Sequence, residues 1–419
     1  MSLRGLIKQS PCRVSSVPVQ ALSAAELIGE ECTPRYKPDH YYPVCLYDIL
    51  NDRYQITAKL GWGTSSTVWL ARDLNQWRWC SARYVAVKIK ANNYATKEDA
   101  EGKLRITENI TRANPRHVGR NFVSTLLYSF DLPSPHGTHV CMVFDPLCEP
   151  LWMLRRPFQG DVLPLDVLRP VAKLILEGLG YLHSECQVVH TDLKSDNVLM
   201  ALRDHSILDR VSQDEVKEPL PQKQLEDRTI YLSRNHFGME ANSLGRPVIT
   251  DFGLAVEGSQ THYHPIQPDS FRAPEVILGA GWEYSADIWN LGALIWFIAR
   301  FADILVELAH GSGPFDGPDS NLSTFTEEAH LARIISVLGP PPVDVLHEAK
   351  YASRYFDTEG NFKHPGLILK SGGLDNTLHD VEGDDKQAFI NVISRMLRWK
   401  GDGRDTVQGL LSDPWFRGV

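Results

Sequence analysis

Apolar and polar residues begin to alternate at Tyr54. Tyr54, Ile56 and Ala58 share one side of an extended chain, Leu60 continues the run, and Val68 and Leu70 resume it after a turn, which predicts a β-hairpin. Two short apolar runs, Tyr84-Val85-Ala86-Val87-Lys88-Ile89 and His139-Val140-Cys141-Met142-Val143-Phe144, predict further strands, the first with one lysine in a buried setting. Helical spacing appears at Lys97 to Thr111, with Glu101, Arg105 and Glu108 on one face, and again at Leu165 to His183. There Val167, Leu168, Val171, Leu174, Ile175, Leu179 and Leu182 recur as in a core helix. Gln187 to Val189 and Val198 to Met200 read as buried strands around a polar loop, and Pro247-Val248-Ile249-Thr250 as another strand. The apolar run Leu291 to Ala299 stops at Arg300 and Asp303, too short to span a bilayer, and predicts a buried helix.

The remaining segments look less regular. Pro34 to Asp52, with Tyr36, Pro38, Tyr41, Tyr42 and Pro43, predicts an extended arm packed ahead of a domain. Met1 to Ala25 carries Arg4, Lys8 and Arg13, several serines and no acid before Glu26. That is the composition of a disordered tail, with a mitochondrial presequence as the alternative. The stretch 201–246, with Asp214-Glu215, Glu218, Glu226-Asp227 and several prolines, is expected to be an exposed excursion with little regular structure.

Composition narrows the class. The 419 residues are 43% hydrophobic and 23% charged, as in a globular chain with a large core. A formal net charge of −9 argues against general nucleic-acid binding and suits a basic partner. Seven cysteines without a C-x-x-C pair fit neither a disulfide framework nor a zinc ribbon, and reduced thiols point to the cytoplasm or nucleus. A monomer without membrane contact is the expectation.

Chemistry concentrates in Val189-His190-Thr191-Asp192-Leu193-Lys194-Ser195-Asp196-Asn197. A carboxylate here can orient a hydroxyl nucleophile, a lysine can neutralise a phosphate oxygen, and an amide oxygen is a hard ligand for Mg²⁺. Phosphoryl transfer needs these parts, although a polar turn of this kind is also an ordinary connecting loop. The glycines of Gly61-Trp62-Gly63-Thr64-Ser65-Ser66-Thr67-Val68 let backbone approach a phosphate, or simply make a hairpin turn. A buried Lys88 needs an anion unless its stem carries the charge to solvent.

Taken in order, these motifs resemble those of protein kinases. Gly61 to Val68 is similar to G-x-G-x-x-G-x-V with Ser66 for the third glycine, Val85-Ala86-Val87-Lys88 to V-A-I-K, and His190-Thr191-Asp192-Leu193 to H-R-D-L; Asp251-Phe252-Gly253 and Ala273-Pro274-Glu275 match D-F-G and A-P-E. Tyr42-Pro43-Val44, Leu60-Gly61-Trp62-Gly63, Ser66-Thr67-Val68-Trp69, Gly137 to Phe144, Thr191 and the 201–246 insert resemble the SR-protein kinase family. The likeness covers about Tyr36 to Phe416.

The resemblance implies an α+β, two-lobed kinase fold: tail 1–35, arm 36–53, a small antiparallel β-sheet lobe with one helix at 54–145, and a mainly helical large lobe at 146–418 that contains the 201–246 insert. It implies ATP and Mg²⁺ as cofactors and a protein serine, in a basic Arg/Ser-rich partner, as substrate. Leu60, Gly61, Trp62, Gly63, Val68, Ala86, Lys88, Asp145 and Leu147 would bind ATP, with Phe144 at the back of the pocket. Asp192 and Lys194 would be catalytic, with Asn197 catalytic and a metal ligand beside Asp251. Arg404 would pair with Glu275. Thr191 replaces the arginine that binds an activation-loop phosphate, so activity without such phosphorylation is expected. Two departures favour a rival reading, a pseudokinase that binds nucleotide or partners: Arg105 stands where the family's lysine-pairing glutamate is due, with Glu101 and Glu108 one turn to either side, and Phe297 to Leu305 is extra.

Overall fold

The computed structural model describes residues 8–34, 36–92, 97–154, 156, 158, 163–238, 245–299, 325–369, 373–374 and 383–417. The chain forms two compact units. The first gathers 1–111, 124–149 and 200–245, and the second 112–123, 150–199 and 246–419.

The first unit holds β1 (Ile49–Leu50), β2 (Tyr54–Gly63), β3 (Ser66–Asp73), β4 (Tyr84–Lys90), α1 (Lys97–Arg112, its last residue in the second unit), β5 (Tyr128–Ser134) and β6 (Gly137–Phe144). These six strands form one antiparallel sheet in the order β1-β2-β3-β4-β6-β5. The predicted hairpin turn is tighter than the motif. Gly63 pairs with Ser66, which leaves only Thr64 and Ser65 in the turn, and register shifts at Ile56/Ala58 and Lys59/Gly61 interrupt the regular pairing of β2. Because side chains alternate, the pairs Val68–Lys88, Lys88–Met142 and Ala86–Phe144 put these five residues on one face. The other face, with Tyr54, Ile56, Trp69, Val85, Val87, Ile89, Cys141 and Val143, is the unit's apolar core. Val44 and Leu50 from the arm and Tyr231 from the insert cover it.

Two of the irregular segments prove ordered. The insert forms α3 (Ser206–Lys217) and an antiparallel hairpin of Gln222–Gln224 with Thr229–Tyr231, and belongs to the first unit. Helix α3 buries Leu208, Val211 and Glu215, its Asp209 accepts a hydrogen bond from Tyr84 (3.0 Å), and Glu215 is paired with Arg234 (2.6 Å). The described part of the expected disordered tail, residues 8–34, instead lies along this unit; residues 1–7 lie outside the described residues. Gln9 donates to the carbonyls of Cys80 (2.8 Å) and Ser81 (3.3 Å), Gln55 receives the Cys12 N–H (2.7 Å), and Ser15 donates to the Val216 carbonyl (2.6 Å). Leu22 donates to the Gln222 carbonyl (2.9 Å), and Gln222 donates back to Gln20 (3.1 Å).

Buried charge closes the strap. Glu30 pairs with Lys59, which is wholly buried and also donates to the Tyr231 carbonyl (3.0 Å), while Glu31 takes Lys223 (2.9 Å). Burial lowers the Lys59 pKa, and the Glu30 charge and hydrogen bond work against that. Gly29, at φ 57°, makes the turn that delivers both glutamates, and a Cβ there would stand 3.1 Å from Lys59 Nζ.

The second unit is mainly helical. It contains α2 (Leu165–Gly180), in which Leu168, Val171, Ile175, Leu176 and Leu179 are buried, then the short strand Val188–Val189, which pairs with Val256–Glu257. Helices α4 (Pro274–Leu278) and α5 (Ser285–Ala299) follow. α5 is buried continuously from Ala286 to Ile298. Gly292 lets the helix Gly383–Met396 approach, since a Cβ there would stand 2.8 Å from that of Met396. Phe297, the first of the extra residues, continues α5 and lies edge-on to Phe271 (6.1 Å); the part of that insertion from Arg300 onward lies outside the described residues. As the resemblance implies, Arg404 grips Glu275 through two 2.6 Å hydrogen bonds, buried, with its guanidinium 4.9 Å from the Trp289 ring centre.

Candidate active site

The nucleotide-binding candidates lie in the first unit. Gly61, Trp62 and Gly63 end β2, and Trp62 is exposed. Leu60, Val68, Phe144 and Leu147 are half-buried and Ala86 is buried. Lys88, half-buried on β4, sits between Val68 and Met142. Asp145, exposed, follows β6 directly. On α1 Arg105 and Glu101 are exposed and Glu108 is half-buried.

The polar loop lies in the second unit, and its geometry follows from one residue. Asp287, wholly buried at the start of α5, accepts hydrogen bonds from the backbone N–H of His190 (2.7 Å), that of Thr191 (2.9 Å) and Nε2 of His183 (2.9 Å). Burial alone would raise its pKa; the His183 hydrogen bond, the nearby histidine charges and the His190 N–H together hold it below the ordinary carboxylate range. Those bonds oppose the strain at Thr191, a β-branched residue at φ 71°. The Thr191 hydroxyl in turn donates to the Leu254 carbonyl (2.9 Å), just beyond Asp251-Phe252-Gly253. His190 donates from Nε2 to the Thr250 carbonyl (2.9 Å) and its Nδ1 lies 3.2 Å from the Asp192 backbone nitrogen, which fixes the orientation of the ring. Phe252 lies edge-on to that ring at 5.4 Å.

Asp192, Lys194 and Asn197 come together. Asn197 Nδ2 donates to the backbone carbonyl of Asp192 (2.8 Å) and to its Oδ2 (2.7 Å), and Lys194 Nζ stands 3.3 Å from the same Oδ2. Among the described residues nothing donates to Oδ1. The Asn197 carbonyl accepts the Thr250 N–H (2.8 Å), which ties the loop to Asp251. Asp251 is exposed at φ 59°, its Oδ1 receiving the Gly253 N–H (3.1 Å).

The donor set fits Mg²⁺. With Asn197 Nδ2 directed at Asp192, the Asn197 Oδ1 is the face left for a cation, and Asp251 supplies a carboxylate. Among the described residues no group of three or more His, Cys, Asp or Glu side chains forms a metal cage. Mg²⁺ keeps several waters and is held by one or two protein oxygens with substrate phosphates, so a sparse pair suits it.

A glycine-bearing hairpin, a strand lysine and a rigid Asp-x-Lys-x-x-Asn loop are the parts of a protein kinase. The comparisons agree. The family model for the protein kinase domain matches residues 54–217. A serine/threonine protein kinase of Aspergillus fumigatus is 35% identical over 94% of this chain and 92% of its own length, and the serine/threonine-protein kinase SRPK of Physarum polycephalum is 30% identical over 93% and 92%. The crystal structure of a kinase domain aligns with a TM-score of 0.64 at 21% identity, covering 90% of this chain and 99% of its own. The chain belongs to the serine/threonine protein kinases and is an ATP-dependent enzyme of the SR-protein kinase type, acting on protein substrates.

Asp287 and Tyr41 are given no role at the site by the motifs, although Asp287 opens the Asp287 to Gly292 run that resembles the start of the family's central helix. A lone acid opening the apolar run Ile288 to Ile298 was a signal for the first, because a charge is not buried without donors. Tyr41 sits in the arm, and its hydroxyl reaches the carbonyls of Gly63 (3.1 Å) and Thr64 (3.0 Å).

Proposed function

We propose that this kinase transfers the γ-phosphoryl group of ATP to serines flanked by arginines in basic proteins. The observation that carries the chemistry is the Asp192 carboxylate, with one oxygen fixed by Asn197 and Lys194 and the other without a described donor. Oδ1 orients the serine hydroxyl and takes its proton as the serine oxygen bonds to Pγ and the bond from Pγ to the ADP oxygen breaks. Lys194 offsets charge on the transferring group, and Lys88 holds the α- and β-phosphates. Leu60, Val68, Ala86 and Leu147 supply apolar surface for the adenine, the backbone near Asp145 its hydrogen bonds, and Gly61, Trp62 and Gly63 the phosphate loop. Asn197 and Asp251 would hold Mg²⁺, which neutralises phosphate charge when bound.

A net charge of −9 and the likeness to the Physarum SRPK support a basic substrate. All seven cysteines are free thiols, in keeping with a cytoplasmic or nuclear location. The test is transfer of labelled phosphate from ATP to an Arg-Ser repeat peptide and to the same peptide with its arginines replaced by glutamate. Wild type is expected to label the first at least tenfold faster, and Asp192→Asn to lose about 10²- to 10⁴-fold. Equal labelling of the two peptides would remove the basic-substrate reading.

A further inference from the structure

The tip of the phosphate hairpin is held from outside the motif. Tyr41 is 6% exposed, and its hydroxyl lies 3.1 Å from the Gly63 carbonyl and 3.0 Å from that of Thr64. Arg228, on the turn of the insert's hairpin, donates from Nη1 to the carbonyls of Pro38 (2.6 Å) and Tyr41 (3.3 Å). Asn92 donates its N–H to the His40 carbonyl (2.9 Å), and Tyr36 packs on the Tyr41 ring at 5.2 Å. The far side of the turn is fixed as well: Lys90 Nζ reaches Ser65 Oγ (3.2 Å) and the Ala91 N–H donates to the Ser65 carbonyl (2.9 Å).

Peptide planarity turns this into a statement about donors. In a trans peptide the carbonyl and the N–H of the next residue point opposite ways. Carbonyls of Gly63 and Thr64 turned toward Tyr41 therefore aim the N–H groups of Thr64 and Ser65 away from it. These are two of the loop's backbone donors. Such donors cost no reorganisation when a phosphate arrives. Burial raises the Tyr41 pKa, so the hydroxyl keeps the proton it donates.

We propose that Tyr41, seated by Arg228 of the insert, is a positioning residue that presets these two N–H groups for the phosphates of ATP. The inference rests on the nucleotide-binding role given above to Gly61–Gly63, and its readout is nucleotide affinity, which does not depend on turnover. Binding of a fluorescent ATP analogue to the full chain is measured for wild type, Tyr41→Phe, Arg228→Gln and the double variant, with melting temperature and peptide KM alongside. Tyr41→Phe keeps the ring and its packing. It is expected to weaken nucleotide binding by about threefold to tenfold, the range one hydrogen bond carries, with peptide KM and melting temperature near wild type. Arg228→Gln should act in the same direction, and the double variant should be no worse than Tyr41→Phe alone, because Arg228 acts through Tyr41. Unchanged affinity in Tyr41→Phe, or a loss matched by a fall in melting temperature and a parallel change in peptide KM, would overturn the proposal. A wild-type chain that binds nucleotide but transfers no phosphate would sink the catalytic reading and leave this one standing.

Discussion

At the scale of single residues, Thr191 shows how a family motif can change and still be supported. The threonine backbone is held by the Asp287 carboxylate, and its hydroxyl donates to the Leu254 carbonyl (2.9 Å), a bond between neutral groups that ties down the segment after Asp251. Farther along, His262 and Trp282 exchange backbone hydrogen bonds (3.0 and 2.9 Å) with their rings stacked at 4.7 Å. Trp282 Nε1 donates to the His264 carbonyl (2.8 Å), and Gln267 bridges Ala286 (2.9 Å) and the Ala273 N–H (2.7 Å). None of these contacts needs a phosphate. The combined variant Ser259→Ala, Thr261→Ala, Tyr263→Phe, Ser270→Ala is accordingly expected to keep its turnover to within about threefold; a hundredfold loss would refute phosphate-independent ordering. The cluster of Asp192, Lys194 and Asn197 was legible because its members fall within one short run. Asp287 was not, because its partners lie 96 and 97 positions away.

Among elements, the strap and the insert were misread for one physical reason. Glu30, Glu31, Lys59 and Lys223 look like solvated charges in sequence, yet they neutralise one another in the interior, across separations of 29 and 192 residues. Ile207, Leu208 and Val211, at i, i+1 and i+4, were the short helical signal for α3. The arrangement makes a sharp expectation about stability. Glu30→Gln leaves Lys59, with no exposed side chain, without its counter-charge, and the loss of an ion partner from a buried pair costs about 3–5 kcal/mol. Urea unfolding should show it, whereas Asp344→Asn at the exposed Lys400 pair should have no measurable effect. A Glu30→Gln loss below about 1 kcal/mol would mean that the strap does not stabilise the unit.

For the molecule as a whole, the sequence foretold both the sheet-bearing and the helical unit but drew their boundary too simply. It left the insert with the helical part, although Tyr231 covers the sheet and α3 bonds β4 through Tyr84. The pH response is another global property. His330, wholly buried on the helix Glu327–Leu338, donates to the Arg272 carbonyl (2.8 Å), and burial, only partly opposed by that bond, lowers its pKa to about 4. The unfolded chain binds the proton more readily, so stability from this group is full above about 6.5 and is lost as pH falls toward 4, about 3 kcal/mol in all. Melting temperatures between pH 7 and 4.5 should therefore fall more steeply for wild type than for His330→Gln; parallel curves would exclude the linkage. The strap also sets a timetable for biosynthesis. Glu31 leaves the ribosome 192 residues before Lys223, an interval of roughly 10 to 40 s at ordinary elongation rates. From Phe144, where the last strand of the first sheet ends, until Lys223 emerges, the nascent chain carries every strand of that sheet while Glu31 still lacks its counter-charge, which makes it a natural client for a chaperone.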